Sequence, residues 1–414
     1  MTDVVHDMAV ARIERPAFSV SAYKPVLLAT PAFLFVLILF VVPIMGFLYK
    51  SIDNSEINTV LPRTTQFLSH QWQPSEDLPN EIYGLLVDEL SAAEDVQVSA
   101  LARRLNYELP EFRRLIMRTR TAMASMSKED AKAGLLAAVP QWQDKRYWQI
   151  LRNSSGRFTS FYYLTALDLK KDADGSITNM PAEQRQFRQV ITRTFTQSVF
   201  ITLICLLIAY PVANALAKAT PRRASLMMFC ILLPFWTSLL VRTSAWILLL
   251  QRQGLLNNVL SSLGLIDAPL PMIFNALGVY ITMVHVMLPF AILPLYAAMR
   301  RISPMYLRAA TSLGANPVRA FFEIYVPQTY PAIAASGTMV LVLVLGYYVT
   351  PSLVGGPADQ MIGTSIAYFT NVTLNWGLAA ALSVILLVMT FLLFAILALA
   401  FGKARSPAST SPSR

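Results

Sequence analysis

The residue types able to do chemistry are thinly spread in this chain. His6, His70 and His285 stand far apart, and Cys205 and Cys230 fall in apolar runs, where a thiol packs as a small apolar side chain. That set offers no cluster with metal-ligand spacing. Asp172, Asp174 and Gly175 share part of a calcium-loop pattern, but Lys170 and Pro181 occupy its first and twelfth positions, so a solvated turn is expected. No G-x-x-x-x-G-K-[ST] run cradles a phosphate, and neither G-x-S-x-G nor H-E-x-x-H occurs. Catalysis and a resident metal or cofactor are therefore not expected.

A second set could act on a passing solute. Arg242 is the one charge deep within an apolar run. It precedes Leu250 by eight residues, about 12 Å of helix. A charge at mid-bilayer costs on the order of 2.5–3.5 kcal/mol, so Arg242 must snorkel, pair with a neighbouring span, or serve as a gate or solute contact. Trp236, Trp246, Tyr347 and Tyr348 suit an aromatic lining for a small organic cation, although interface anchoring or helix packing is the default reading for any one of them. His285 reads as an interhelical hydrogen-bond partner. Asp267 and Asp359 are short-loop carboxylates that either help admit a cation or are simply solvated.

These residues need a membrane to hold them. Of 414 residues, 55% are hydrophobic and only 14% charged, too few charges to cover a soluble surface. Disordered, collagenous and disulfide-rich classes are excluded by the same figures. Six apolar runs are long enough to cross a bilayer: Val26 to Leu48, Phe195 to Ala217, Leu226 to Leu250, Ile273 to Ala297, Ile333 to Val349 and Leu378 to Phe401. The first is too long for a cleavable signal core. None contains Asp or Glu, which speaks against a proton- or sodium-coupled carrier. The expected fold is an all-α polytopic membrane protein.

Lys and Arg set its orientation. Arg12, Arg15 and Lys24 precede the first run; Lys218, Arg222 and Arg223 lie between the second and third. Arg300, Arg301, Arg308 and Arg319 lie between the fourth and fifth, and Lys403, Arg405 and Arg414 follow the sixth. The other side has only Arg252 in its short loops. Residues 1–24 and 403–414 are thus expected as cytoplasmic tails, 25–49 as the first span, 50–193 as an extracytoplasmic insertion and 194–402 as a five-helix core with a cytoplasmic loop at 299–331.

The insertion holds 19 Lys/Arg and 18 Asp/Glu, leaving 15 and 6 for everything else. This near-neutral block inside a basic apolar chain is not the basic face a nucleic acid needs. Within 79–126, Ile82, Leu85, Leu86, Leu90, Leu101, Leu105, Phe112, Leu115 and Ile116 recur at helical spacing. Pro110 marks a second helix start, Ser127 an N-cap before Lys128, and Gln141 to Leu151 a further helix. A small helical domain is expected.

The loop from Arg300 to Ile333 carries the strongest pattern. Ser303 and Pro304 can start one helix, Gly314 can stop it in the left-handed conformation, and Asn316 and Pro317 can start another that runs to Pro327. Ala309 and Ala310 give the first helix a low-relief patch. The stretch resembles the EAA loop of ABC importer permeases, which reads E-A-A, three residues, Gly, nine residues, I-x-L-P. Here Arg308, Ala309 and Ala310 precede Gly314 by that spacing, and Ile324 and Pro327 follow it by that spacing. Arg308 replaces Glu and Val326 replaces Leu. The resemblance extends over residues 195–402 and is closest to spermidine/putrescine-type permeases through Leu233 to Trp246, Arg252 to Asn257, Met287 to Tyr296 and Gly346 to Pro357.

The resemblance implies an inner-membrane, non-catalytic subunit. It would form half of a pore for a small organic solute, a polyamine or else an amino-acid derivative or phosphonate. A second permease, two ATP-binding subunits that hydrolyse ATP, an extracytoplasmic solute-binding protein and membrane lipid would be its partners. Arg308, Ala309, Ala310, Leu313, Gly314, Ala315, Ile324 and Pro327 would seat the loop in an ATPase groove. A stand-alone carrier or channel is the competing reading.

Overall fold

The computed structural model describes residues 24–123, 131–172 and 175–403. Ser127 and Asp174 lie outside them. Residues up to Tyr49 form one unit and those from Lys50 another. In the first unit, Lys24–Val36 and Val42–Tyr49 are α-helical and Leu37–Val41 is a π turn. Its Ala29–Tyr49 portion is long and apolar enough to cross a bilayer.

In the second unit, the described residues between Ile57 and Leu151 build a helical layer around one core. Asn80–Ala92, Asp95–Asn106 and Phe112–Met123 turn the predicted apolar positions inward, with Leu85 only partly buried. The third helix starts after Pro110 rather than at it, because Glu111 takes a left-handed φ of +89°. Trp142 and Trp148 fill the centre at 4.8 Å. Their indole N–H groups reach Thr119 Oγ1 at 2.8 Å and the Trp142 carbonyl at 2.9 Å, so burial leaves no donor unpaired there. Glu89 is buried and accepts the backbone N–H groups of Arg63 and Thr64, supplying the start of Pro62–Gln71 with acceptors its own side chains lack. Asp144 caps Lys145–Asn153 by accepting Arg146 N–H at 2.9 Å. Arg146 beside it holds its carboxyl below the usual range.

The all-helical expectation needs one amendment. Leu169–Lys171 and Ile177–Asn179 pair as an antiparallel hairpin, and Asp172 and Gly175 sit in its turn. The boundary at residue 193 also moves: the second membrane helix already starts at Phe187 and runs 32 residues to Lys218. At 1.5 Å per residue it is roughly 48 Å long, against a hydrocarbon core of about 30 Å.

Ile201, Cys205, Ala209 and Ala213 on that helix pack against Met283, Met287, Ala291 and Leu295 of Ala276–Met299, and against Val340 and Val344 of Val326–Leu345. Small residues let the backbones approach, and Ser336 Oγ donates to the Ala291 carbonyl at 3.0 Å. Cys205 is buried in this packing, whereas Cys230 is exposed. Trp376–Lys403 is the last helix. Among the described residues, five helices are long and apolar enough to span, or six if one bent pair counts once.

That pair interrupts the third apolar run. Leu226 to Leu250 is broken: Pro221–Leu232 passes through a 3-10 turn, Leu233–Trp236, and Leu239–Leu250 restarts at 99° to it. Pro234 cannot continue an α-helical ladder, Thr237 is extended, and Ser238 caps the restart by accepting Val241 N–H at 3.2 Å. The fifth span differs in the other direction. The second loop helix does not stop at Pro327. Pro317–Ala320, a π turn at Phe321–Tyr325 and Val326–Leu345 run on without a break.

Candidate functional site

The 299–331 loop is built as its sequence suggests at the turn and not quite at the start. The first helix is Met305–Ser312, one residue later than Pro304 would allow, with Ser303 Oγ accepting Met305 N–H at 3.3 Å. It closes through Ala315 N–H to the Ala310 carbonyl at 3.0 Å and Gly314 N–H to Thr311 at 3.0 Å. Gly314 takes φ +89°, the left-handed closure that glycine adopts without penalty. A Cβ built at Gly314 meets nothing within 4 Å, so conformation alone, in this chain, asks for glycine. Asn316 then caps the next helix by accepting Val318 N–H at 3.0 Å.

The two helices face different surroundings. The second is tied to the membrane core: Lys218 sits 5.6 Å over the rings of Phe321 and Tyr325, which stack at 5.4 Å, and Thr329 shares a 3.1 Å hydrogen bond with Tyr210. Ala310 and Ala320 are buried, and Ala315, Ile324 and Pro327 half-buried. The first helix and the turn instead expose large apolar groups, Met305, Tyr306 and Leu313, with Leu313 at 89%, and Val318 at the start of the second helix is exposed beside them. Arg308 and Ala309 are exposed, and Arg308 has no ion-pair partner among the described residues. Arg319 is paired to Glu323 at 2.9 Å. The result is an apolar knob with a free cation on a rigid base.

The other candidate residues are dispersed. Arg242 is not buried mid-span. It lies in the first turn after the elbow, where its guanidinium donates to the carbonyls of Pro234 and Thr237, the latter at 3.1 Å, and to Thr237 Oγ1 at 3.4 Å. The Thr237 N–H and hydroxyl also donate to the Pro234 carbonyl, at 3.3 and 2.8 Å, so Arg242 adds to a local network that satisfies the bend. Trp236 is 85% exposed at the elbow. Trp246 Nε1–H donates to His285 Nδ1 at 3.2 Å, the interhelical bond expected of that histidine. Tyr347 packs on the helical core, and Tyr348 lies against Gly363, where an added Cβ would stand 2.9 Å from the tyrosine Cβ. Asp267 is exposed, and Asp359 accepts Gly356 N–H at 3.2 Å to close a short turn. Apart from the Trp246–His285 pair, no hydrogen bond, ion pair or ring contact joins these eight to one another among the described residues.

Sequence reasoning passed over Arg104. Its side chain is 1% exposed, paired to Glu108 at 2.9 Å, and lies 4.6 Å over Phe161 and 4.8 Å over Tyr162. Burial works against its charge, but the paired Glu108 carboxylate outweighs it and holds the guanidinium above its ordinary range. Burial pushes the Tyr162 phenol up, so it stays neutral. Only the i,i+4 spacing of Arg104 and Glu108 was visible in the sequence.

Residues 206–405 match the family model described as "Binding-protein-dependent transport system inner membrane component". The chain is 35% identical over 207 residues to the spermidine/putrescine transport system permease protein PotB of Haemophilus influenzae, covering 50% of this chain and 72% of that one. It is 33% identical over 202 residues to PotB of Escherichia coli, covering 49% and 73%. Among solved structures, a bacterial alginate ABC transporter in complex with an alginate pentasaccharide-bound periplasmic protein matches at TM-score 0.44 and 19% identity, over 51% of this chain and 77% of that one.

Proposed function

This chain belongs to the family of binding-protein-dependent inner-membrane permeases, and we propose that its solute is a polyamine of the putrescine or spermidine kind. One observation carries the solute: 35% identity, over 72% of its length, to a permease named for spermidine and putrescine. The chain is a multi-pass inner-membrane transport subunit and not an enzyme. Two ATP-binding subunits would supply hydrolysis, a second permease would complete the pore, and an extracytoplasmic binding protein would deliver the solute. The charge bias of the loops supports cytoplasmic termini and an extracytoplasmic 50–186 segment.

The loop chemistry supports the coupling role. Met305, Leu313 and Val318 present apolar surface that water does not favour, on a loop whose second helix continues directly into a span. A push on the knob would therefore move Pro317–Leu345 as a lever. Arg308 stands where the family motif has Glu, so the docking partner would meet a cation here. For the solute, Trp246, Tyr347 and Tyr348 offer ring faces to an ammonium group, and Arg242 serves the elbow instead of the cargo.

The test is uptake of labelled putrescine and spermidine in cells lacking the gene, before and after it is restored, with unlabelled amines as competitors. Gene-dependent uptake blocked by polyamines is expected. Unchanged uptake, with sister permeases deleted and expression confirmed, would remove the polyamine assignment.

A further inference from the structure

The 50–186 segment has no part in the reading above, yet three contacts build it into the spans. First, Asp168 is buried with φ +56°, and its carboxylate accepts the N–H groups of Gln186, Phe187 and Arg188 at 3.0, 3.0 and 2.8 Å. These are the unpaired donors at the start of the 32-residue helix, so the segment itself caps the second span. Arg188 Nε returns a bond to the Leu167 carbonyl at 2.8 Å. Second, the Tyr162 ring lies on Gly377, in the first turn of the last span. A Cβ there would stand 2.2 to 2.5 Å from three ring carbons, so no larger residue fits. Third, Tyr107 Oη donates to the carbonyls of Thr373 and Leu374 at 3.4 and 3.3 Å.

The short helix Phe161–Ala166 is thus a wedge. Tyr162 and Ala166 share one buried cluster with Phe187 of the second span, Ile362, and Leu378, Ala381 and Leu382 of the last. The Arg104 guanidinium, paired to Glu108 and lying over Phe161 and Tyr162, joins the wedge to the segment's own core.

We propose that the 50–186 segment is a brace that holds the adjacent ends of the second and last spans at one separation throughout the transport cycle. Asp168, Tyr162 and Gly377 are its positioning residues. The proposal rests on the importer reading. A close-packed, interlocked contact yields in discrete steps and not continuously, so two span ends wedged this way move as one body. Motion started at the loop around Gly314 is then delivered as rotation and is not lost in splaying.

The test locks the contact and separately spoils it. Cys205→Ala and Cys230→Ser provide a thiol-free parent. Arg103 and Leu374 line one cavity between the segment and the last span, so Arg103→Cys with Leu374→Cys can be joined by a short rigid bismaleimide. Uptake of labelled putrescine in cells and ATP hydrolysis by the purified complex are read before and after linking. A brace keeps both within about twofold. Gly377→Ala, at unchanged expression and Tm, should lower both by about fivefold or more, and adding Tyr162→Leu should recover at least about half. Loss of activity on linking would show that the segment must undock, and wild-type activity in Gly377→Ala would show that it positions nothing; either overturns the brace. Absence of gene-dependent uptake in the unlinked parent would sink the polyamine reading alone, since hydrolysis still reports on the brace.

Discussion

Replacement of Gly314 separates two reasons for a glycine. One is conformational: at φ +89° an ordinary L-residue pays about 1–2 kcal/mol, or about 5–30-fold in the population of the bend. The other is room for a partner. In this chain a Cβ at Gly314 meets nothing, and Leu313 beside it is 89% exposed, so any lack of room is supplied by whatever docks there. Asn and Asp visit the left-handed region more readily than Ala but are larger. Conformation alone therefore ranks Ala worst, with Asn and Asp near wild type. Docking ranks Ala best, then Asn, then Asp, whose carboxylate would lose its water in a groove. We predict the docking order: Gly314→Ala down a few-fold, and Gly314→Asp down by about tenfold or more, which corresponds to about 1.4 kcal/mol. The assay is uptake together with the amount of ATPase subunit that co-purifies. Wild-type uptake and co-purification in Gly314→Asp, or Ala falling below Asp, would refute the docking argument.

Three further outcomes follow from named contacts. Arg242→Lys should not support uptake at wild-type levels, because an ammonium cannot fork between two carbonyls and a hydroxyl, and labelling of a cysteine at Trp236 should report the loosened elbow. Burial raises the Glu56 carboxyl above its ordinary range, so folding favours its protonated form and its destabilising charge grows as pH rises through that raised value; Glu56→Gln should raise Tm at pH 7.5 and leave it unchanged below about pH 4, where both states are already neutral. Asp168→Ala removes two carboxylate oxygens that accept three N–H groups and should speed hydrogen exchange at Phe187 and Arg188 by about tenfold or more, while Asp168→Asn, which tolerates that left-handed φ, should lose less.

The loop turn was legible because its signals are local. A glycine after a helix, then Asn-Pro, specify a left-handed stop and a capped restart whatever surrounds them, and Gly314, Asn316 and Pro317 do both. The insertion core was legible for a similar reason, since one apolar stripe per helix can bury only one way. The contacts that wed the insertion to the spans were not. Asp168 caps a helix that starts 19 residues later, and Gly377 is a glycine for the sake of a ring 215 residues earlier. Neither partner is marked by period or by neighbouring residues, so only the assembled fold shows them.

The prolines of this chain behave differently according to their surroundings. Pro327 was expected to end a helix, yet it sits inside one. The π turn before it sends Val326 N–H to the Phe321 carbonyl, a wider bond that absorbs the donor a proline lacks. The first span repeats the arrangement: Val42 N–H reaches the Leu37 carbonyl and Pro43 follows. Pro211, Pro289 and Pro294 are carried inside α-helices, whereas Pro234 is not. It falls within a 3-10 turn, an extended Thr237 follows, and the helix breaks by 99°. The lone Arg242 eight residues on belongs to that break, because its guanidinium joins the Thr237 N–H and hydroxyl on the Pro234 carbonyl and also reaches the Thr237 carbonyl. A single arginine after an internal proline in an apolar run is thus better read as the pin of a broken span than as a charge stranded in lipid, and loss of the Arg242 fork with the elbow unchanged would contradict that reading.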